Sequence, residues 1–220
     1  LMKLTTIILT AIMMHSGLLM ATEEPAFTLI KQSEPFELRL YAPRIIAETA
    51  VSGNMKKASS SGFKAIANFI FGNNQHPSSG EAENISMTAP VILQSSSVEA
   101  FTTSNPASDG SEQAWQVSFF MPSQYNLESL PKPNNTAVTV RSLPASYAAV
   151  MRFSGFSGAE TVAKNTQALQ QWIQQQQLSA LSTAQLARYN PPWTLPFMRR
   201  NEIIIEVAAP IIAAQENTAP

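Results

Sequence analysis

The feature that most constrains the fold is an internal repeat. Residues 37–53 resemble residues 139–155 at a constant offset of 102. The aligned identities are Arg39 with Arg141, Ala47 with Ala149, Ser52-Gly53 with Ser154-Gly155, and, further on, Pro90 with Pro192. In both copies two apolar, strand-like runs joined by a proline-containing turn lead into Ser-Gly and then into a helical pattern. Repetition of this kind predicts two related structural units in one chain.

Periodicity predicts the elements of each unit, because alternating apolar residues indicate strands and apolar residues three and four apart indicate helices. The predicted strands are Phe27–Lys31, Phe36–Tyr41, Ile45–Val51, Met87–Leu93, Trp115–Met121, Val138–Leu143, Tyr147–Phe153 and Glu202–Val207. Helices are predicted from Met55 to Phe71 and from Gly158 to Gln177. A Ser/Thr/Asn-rich tract, Ser95–Ser111, is predicted to be a hairpin loop.

Each half therefore has the order β-β-α-β, and two such halves bury their strands most simply by pairing into one sheet. We predict an α+β fold: a distorted β-barrel or curved antiparallel sheet from two pseudo-symmetric halves, with two flanking helices. The domain is expected to span residues 22–210, followed by a flexible tail at 211–220.

The N-terminal segment has the layout of a secretory signal peptide. A single basic residue, Lys3, precedes the apolar stretch Leu4–Met14, and a short tract ends at Ala21. Because the apolar stretch is short for a bilayer crossing, we predict that residues 1–21 form a signal peptide; the alternative is an uncleaved anchor. The sequence has no cysteine, which fits a bacterial periplasm better than a disulfide-stapled scaffold. The expected location is periplasmic or secreted.

Charge excludes several classes of partner. Residues 1–21 contain one of the 14 basic and none of the 15 acidic side chains, so the exported chain carries 13 and 15. Such a balance offers no basic patch for nucleic acid or anionic lipid. We expect no nucleic-acid partner, no stable membrane insertion after signal cleavage, and a monomer.

The inventory of reactive side chains is small. After residue 21 the sequence has one histidine, His76, and one aspartate, Asp109, both in polar loops. A Ser-His-Asp triad is therefore not predicted, and a zinc site built from His and Cys is excluded by count. Glutamates remain for acid–base chemistry, but no spacing singles out a pair. The eight glycines form no phosphate-binding loop. We predict a binding protein rather than an enzyme.

The most unusual segment is aromatic and proline-rich, Ala187–Glu202 (ARYNPPWTLPFMRRNE). Its three prolines hold the backbone extended and so present a fixed apolar wall. The wall consists of Tyr189, Trp193, Phe197 and Met198. Arg199 and Arg200 add planar donors that match carboxylates or phosphates. An apolar wall with guanidinium groups suits a flat, carboxylate-bearing ligand. The alternative is that Pro-Pro-Trp packs on the core and that one arginine pairs with Glu202.

Several stretches closely resemble signature segments of the SOUL/haem-binding protein family. They are Ile85–Val91 (ISMTAPV), Val117–Ser123 (VSFFMPS), Phe153-Ser154-Gly155 and Arg188–Glu202. The likeness runs from Pro25 to Val207. It implies a distorted barrel flanked by two helices, related to the effector-binding domains of some bacterial regulators. It also implies binding of haem or another porphyrin.

The resemblance further implies where the ligand lies: in an apolar cleft beside the first helix and near Tyr189–Arg200. The implied apolar contacts are Phe63, Ile66, Ala67, Ile70, Met87, Tyr189, Trp193, Phe197 and Met198. Lys64 and Arg199 are the implied partners of the propionates. The implied function is that of a periplasmic tetrapyrrole carrier, buffer or scavenger with haem as its ligand.

Some members of the family are proposed to bind haem iron through a histidine. Here only His76 is available, in the loop after the first helix. Loop histidines are usually solvated, so we predict that binding depends on apolar enclosure and propionate pairing. Such a site should discriminate poorly between haem and metal-free porphyrin.

Two other hypotheses are open. One is a hydrolase-like enzyme or an effector-binding domain for another small hydrophobic ligand; the enzyme predicts a buried glutamate with a raised pKa that points into the pocket. A protein-interaction module, in which the proline-rich segment docks a partner, predicts an open surface with no ligand-sized cavity.

Overall fold

The computed structural model describes residues 22–95 and 113–210. The predicted signal peptide, most of the predicted loop and the predicted tail lie outside the described residues. Two helices are present in the described part, α1 (Met55–Ile70) and α2 (Ala159–Gln175), and neither is long and apolar enough to cross a membrane. The strands are β1 (Phe27–Ser33), β2 (Phe36–Tyr41), β3 (Arg44–Ser52), β4 (Asn74–Gln75), β5 (Val91–Ser95), β6 (Ala114–Phe120), β7 (Lys132–Pro133), β8 (Val138–Leu143), β9 (Ser146–Phe153), β10 (Gln185–Arg188) and β11 (Asn201–Val207).

Nine of these strands form one antiparallel sheet in the order β1-β2-β9-β11-β10-β5-β6-β3-β8. The strands β4 and β7 form a separate two-stranded ribbon. The large sheet curls into a half-barrel, with α1 against β3 and β6 and α2 against β9 and β11. This architecture confirms the predicted α+β fold with a curved antiparallel sheet and two flanking helices.

The register of the sheet follows the sequence repeat. Strand β2 pairs with β9 so that Phe36 lies opposite Met151, and β8 pairs with β3 so that Val138 lies opposite Thr49. Val138 is 102 positions after Phe36, and Met151 is 102 positions after Thr49. The first strand of each half thus pairs with a strand of the other half: β2 pairs with β9 of the second half, and β8 pairs with β3 of the first. This exchange joins the two halves into one sheet.

The offset of the repeat changes after the helices. At the centre of the sheet β5 pairs with β10, and Leu93 lies opposite Leu186 on the pseudo-twofold axis. Corresponding residues of the two halves are therefore 93 positions apart in this part of the sheet, instead of 102. The predicted match of Pro90 with Pro192 is wrong, because the connection from α1 to β5 is longer than that from α2 to β10.

The repeated Ser-Gly dipeptide turns the chain out of a strand before each helix. Gly53 has φ 126° and Gly155 has φ 91°, a region that residues with a side chain rarely adopt. Helix α1 then begins with Asn54 as its cap, whose side-chain oxygen accepts a hydrogen bond from the Lys57 amide at 2.9 Å. The repeat in this region therefore reflects a shared backbone conformation.

Helix α1 approaches the sheet closely at one glycine. A Cβ at Gly62 would lie 2.3 Å from Cγ2 of Val117 in β6, so a side chain does not fit there without movement. This contact presses the inner side of the helix onto the sheet and buries Ile66, Phe69 and Ile70. The close approach fixes the height of α1 above the strands that carry the site described below.

The two faces of the sheet differ in chemistry. The face beneath the helices carries the main apolar core, which includes Val117, Phe119, Leu186 and Ile205. The opposite face carries the buried charges Arg39, Glu48 and Glu202 beside a smaller apolar cluster. Because successive strand residues point to opposite faces, each strand contributes to both environments.

The short strands β4 and β7 were not predicted, and two strands of the large sheet differ clearly from the predictions. Strand β5 begins at Val91 instead of Met87, because Pro90 has no N–H group to donate to the sheet. Strand β10 was not predicted, since its four residues are too few to show an alternating pattern. It nevertheless lies at the centre of the sheet, next to the proline-rich segment.

Candidate ligand-binding site

The proline-rich segment forms an ordered loop between β10 and β11. One turn is closed by a hydrogen bond from the Thr194 amide to the Pro191 carbonyl at 3.0 Å. Arg199 folds back over the loop, donating from Nε to the Thr194 carbonyl at 2.8 Å and from Nη2 to the Pro192 carbonyl at 2.6 Å. The loop is therefore braced by its own arginine.

Large apolar side chains of this loop are exposed. Trp193 is 83% exposed and Phe197 is 74% exposed. The exposed apolar residues in and beside the loop are Phe156, Trp193, Leu195, Phe197 and Met198. The alternative in which Pro-Pro-Trp packs on the core is wrong. A concentration of exposed apolar side chains marks a surface for a ligand or partner.

Helix α1 offers less surface to a ligand than predicted. Phe63 is partly exposed and its ring packs against Phe119, with 5.4 Å between the centroids. Lys64 is exposed on the same helix. The other predicted helix residues, Ile66, Ala67 and Ile70, are buried between α1 and the sheet. Met87 is exposed in the segment before β5. Of the predicted helix residues, only Phe63 and Lys64 present an accessible surface.

Arg188, the last residue of β10, connects α1 with the loop before α2. Its Nη1 donates to Ser59 Oγ at 2.7 Å, and its Nε donates to Ser157 Oγ at 3.0 Å. Ser59 lies one helical turn before Phe63, and Ser157 follows the exposed Phe156. The group formed by these residues and Arg199 is called the Arg188 surface: Ser59, Phe63, Phe156, Ser157, Arg188 and Arg199.

The Arg188 surface carries two positive charges that no carboxylate balances within the described residues. The Arg199 guanidinium lies 5.2 Å from the centroid of the Phe156 ring. Burial, together with the charge of Arg199, lowers the pKa of Arg188. By contrast, Arg39 and Arg141 form hydrogen-bonded ion pairs with glutamates. The surface therefore combines exposed aromatic rings with positive charge that lacks an anion.

Tyr189 lies on the opposite face of the sheet from the Arg188 surface. Its hydroxyl donates to Glu202 Oε2 at 2.6 Å, and the Arg200 guanidinium lies 3.7 Å from the centroid of its ring. Burial, and then the charge of Glu202, raises the pKa of Tyr189. The structure therefore separates Tyr189 from Trp193, with which it was predicted to form one wall.

Glu202 is completely buried among positive charges. Arg39 donates to both of its oxygens, at 2.9 and 3.0 Å, and Arg200 donates to Oε1 at 2.9 and 3.0 Å. The prediction that one arginine pairs with Glu202 thus holds for Arg200. Burial alone would raise the pKa of Glu202, but Arg39, Tyr189 and Arg200 lower it below its ordinary value. A carboxylate held ionised in this way is not the proton donor that the hydrolase hypothesis predicts.

The ligand-sized cavities lie away from the Arg188 surface. An open groove of about 790 Å³ is lined by Glu23, Arg44, Phe120 and Tyr125, among others. A smaller cavity of about 170 Å³ lies on the polar face beside Glu48. None of the predicted site residues lines either cavity. The exposed rings of the Arg188 surface, Phe63 and Phe156, lie outside both cavities.

His76 holds its own loop together. Its Nδ1 accepts hydrogen bonds from the amides of Ser78 at 3.2 Å and Ser79 at 3.4 Å, and its Nε2 lies 3.7 Å from Glu83 Oε2. Within residues 22–95 and 113–210, no three His, Cys, Asp or Glu side chains come close enough to hold a metal ion. Axial ligation by His76 would require its release from Glu83.

Sequence reasoning missed part of the Arg188 surface. Arg188 is the first residue of the signature segment Arg188–Glu202, yet no role was predicted for it because β10 was not predicted. Phe156 directly follows the repeated Ser-Gly dipeptide, a position that could have been singled out. Ser59 and Ser157 had no signal in the sequence, since only the fold brings them to Arg188.

Comparisons with known proteins agree with the fold. The C-terminal domain of EcmrR has a TM-score of 0.54 at 12% identity, covering 79% of this chain and 96% of that chain. A hydrolase encoded by lin2189 from Listeria innocua has a TM-score of 0.53 at 12% identity, covering 81% and 94%. At such identities the likeness shows the fold alone. No curated protein matches the sequence. The sequence model of the SOUL heme-binding protein family matches residues 22–206, nearly all of the described chain, and the protein therefore belongs to that family.

Proposed function

We propose that this protein binds a tetrapyrrole in the bacterial periplasm, as a carrier, buffer or scavenger. Its family is one of haem-binding proteins. The observation that carries the proposal is the Arg188 surface, where exposed aromatic rings lie beside two arginines without carboxylate partners. The signal-like segment before Thr22 and the absence of cysteine support the periplasmic location.

The residues present fit a porphyrin, which has a flat apolar body and two propionates. Phe63 and the exposed rings of the proline-rich loop supply apolar contact, and nearby cations, Arg199 and Lys64 among those predicted, are available to the propionates. Because the surface is open, one face of the macrocycle remains toward solvent. Affinity then comes from ring packing and propionate pairing instead of enclosure.

Iron ligation is not required in this proposal. His76 Nδ1 is occupied by backbone amides and its Nε2 faces Glu83. We therefore expect haem and metal-free porphyrin to bind with similar affinity.

The test is a titration of the purified protein with haemin, followed by the Soret band. Saturable binding in the micromolar range is expected. Phe63→Asp and Arg199→Ala should each weaken binding about tenfold, because they remove ring packing and a charge-assisted hydrogen bond. The matched control is Arg152→Ala, since Arg152 is an exposed arginine outside the Arg188 surface. A lack of saturable binding in this range would contradict the proposal.

A second candidate function is supported by the openness of the surface. The proline-rich loop, with Trp193 at 83% exposure, could instead dock a protein partner. Replacing Trp193 by Ser distinguishes the two, because so exposed a residue contributes little to folding. If this variant binds haemin more weakly than wild type, the loop is part of the tetrapyrrole site. If haemin binding is unchanged, the result favours a protein partner for the loop.

A further inference from the structure

We infer that Arg188 binds one carboxylate of the ligand while Arg199 binds another, so that the Arg188 surface selects tetrapyrroles whose propionates are free acids. This inference rests on the proposed function and deepens it. It assigns a role to a residue that the family resemblance does not single out, and it defines the ligand class by its two anionic groups.

The position of Arg188 supports this role. Its guanidinium reaches Ser59 on α1, one turn before Phe63, in one direction and Ser157, the residue after Phe156, in the other. Arg199 lies over the Phe156 ring, and its charge contributes to the lowered pKa of Arg188. A ligand that packs on these rings brings its polar edge to both guanidinium groups.

Among the described arginines that are not fully exposed, the charge balance singles out the same pair. Arg39 and Arg200 share Glu202, Arg141 pairs with Glu48, and Arg44 lies 3.9 Å from Glu206. Arg188 is half-buried, like Arg44 and Arg200, yet its partners are two serine hydroxyls and one backbone carbonyl. A partly buried cation without an anion is unfavourable, and a carboxylate from a ligand would balance it.

The hydrogen-bonding capacity of Arg188 is also incomplete. A guanidinium has five N–H donors. Three of them are used, by Ser59 Oγ, Ser157 Oγ and the Ser157 carbonyl. One N–H remains on each terminal nitrogen, and a carboxylate accepts charge-assisted hydrogen bonds from such donors. The serines thus hold the guanidinium in place and leave the donors that a propionate needs.

The experiment combines a change in the ligand with a change in the protein. Haemin and haemin dimethyl ester are titrated against wild type, Arg188→Gln and Arg152→Gln. Esterification should weaken binding to wild type about 10- to 100-fold, the size expected for charge-assisted hydrogen bonds. Arg188→Gln should weaken haemin binding to a similar extent but change ester binding less than about threefold, and Arg152→Gln should change neither. Lys64→Gln should have a smaller effect on haemin than Arg188→Gln.

A second variant separates ligand binding from a structural role. The double substitution Ser59→Ala and Ser157→Ala removes the neutral partners of Arg188 but keeps its charge. Haemin binding should weaken less than in Arg188→Gln, because the propionate still meets a guanidinium, although one that is held less firmly. If this double variant loses as much affinity as Arg188→Gln, Arg188 acts only as a link between α1 and the loop, and the inference is wrong.

The outcomes also separate this inference from the proposed function. If wild type binds haemin and its dimethyl ester equally well, and Arg188→Gln binds both like wild type, tetrapyrrole binding stands and carboxylate selection by Arg188 is refuted. If wild type binds neither compound saturably, the proposed function itself fails.

Discussion

The two arginine clusters of this sheet lie on opposite faces and differ in how their charge is balanced. On the polar face, Arg39 is 2% exposed, and Glu202, which is fully buried, accepts hydrogen bonds from it and from Arg200. On the helix-covered face, Arg188 contacts only serine oxygens. In the first cluster the protein supplies the anion itself. This difference is the basis of the proposal that the second cluster receives its anion from a ligand.

The first cluster should dominate stability, and Glu202→Gln tests this most strongly. Glutamine keeps the shape of the side chain but removes the carboxylate that Arg39 and Arg200 share, so that the buried Arg39 keeps only Glu37, at 2.6 Å from its Nε, as a counter-charge. We expect the free energy of unfolding to fall by about 3–5 kcal/mol, as for other broken buried ion pairs. The measurement is urea denaturation followed by circular dichroism.

The control for this change is Glu206→Gln. The Glu206 side chain is 34% exposed and lies 3.9 Å from Arg44, so its loss should cost less than about 1 kcal/mol. If both variants lose the same small amount, charge balance at Glu202 does not stabilise the fold, and the contrast between the two clusters loses its basis.

Acid should weaken the balanced cluster through the same carboxylate. The pKa of Glu202 is lowered in the folded protein, so the unfolded chain binds this proton more readily. Its stabilising effect is present above the ordinary pKa of 4.5 and is lost as pH falls below that value. Wild type should therefore lose stability from about pH 5 downward more steeply than Glu202→Gln does.

Urea midpoints of both proteins at about pH 7, 5, 4 and 3 measure this difference. The two proteins differ at this one carboxylate, so the gap between the curves reports on Glu202. Parallel curves would show that Glu202 is not held ionised by Arg39 and Arg200.

Much of the fold could be predicted because local and repeated signals agree. The alternation of apolar and polar residues predicted most of the strands, and the Ser-Gly repeat predicted where both helices begin. The strand register also follows the repeat. The pairing of β2 with β9 and the pairing of β8 with β3 are related by the same offset of 102 residues. Strand β10 was missed because four residues between loops show no period.

That one omission explains most of the error in the predicted site. Without β10, Arg188 and Tyr189 had no assigned faces, although they end on opposite sides of the sheet. Tyr189 was therefore grouped with Trp193, and Arg188 was given no role. The pairing of Arg39 with Glu202 joins residues 163 positions apart, and no local pattern predicts such a contact.

The smallest effect on the free energy of unfolding is expected from a substitution at Arg188, in contrast to the large effect expected at Glu202. Arg188→Gln loses hydrogen bonds to neutral oxygens but also removes an unbalanced charge next to Arg199. These effects oppose each other, so the free energy of unfolding should change by no more than about 1 kcal/mol. Arg39→Gln, made as the matched substitution in the balanced cluster, should lose several times as much, because it leaves Glu202 buried with one partner fewer.

Arg39 should matter more than Arg188 for the stability of the free protein, whereas Arg188 should matter more for the stabilisation that haemin provides. A ligand that binds only the folded state raises stability in proportion to its affinity. The rise in melting temperature on adding haemin should therefore be clearly smaller for Arg188→Gln than for wild type, whereas Arg39→Gln, although less stable, should show nearly the full rise. Equal rises in the two variants would mean that the unbalanced arginine is not where the ligand binds.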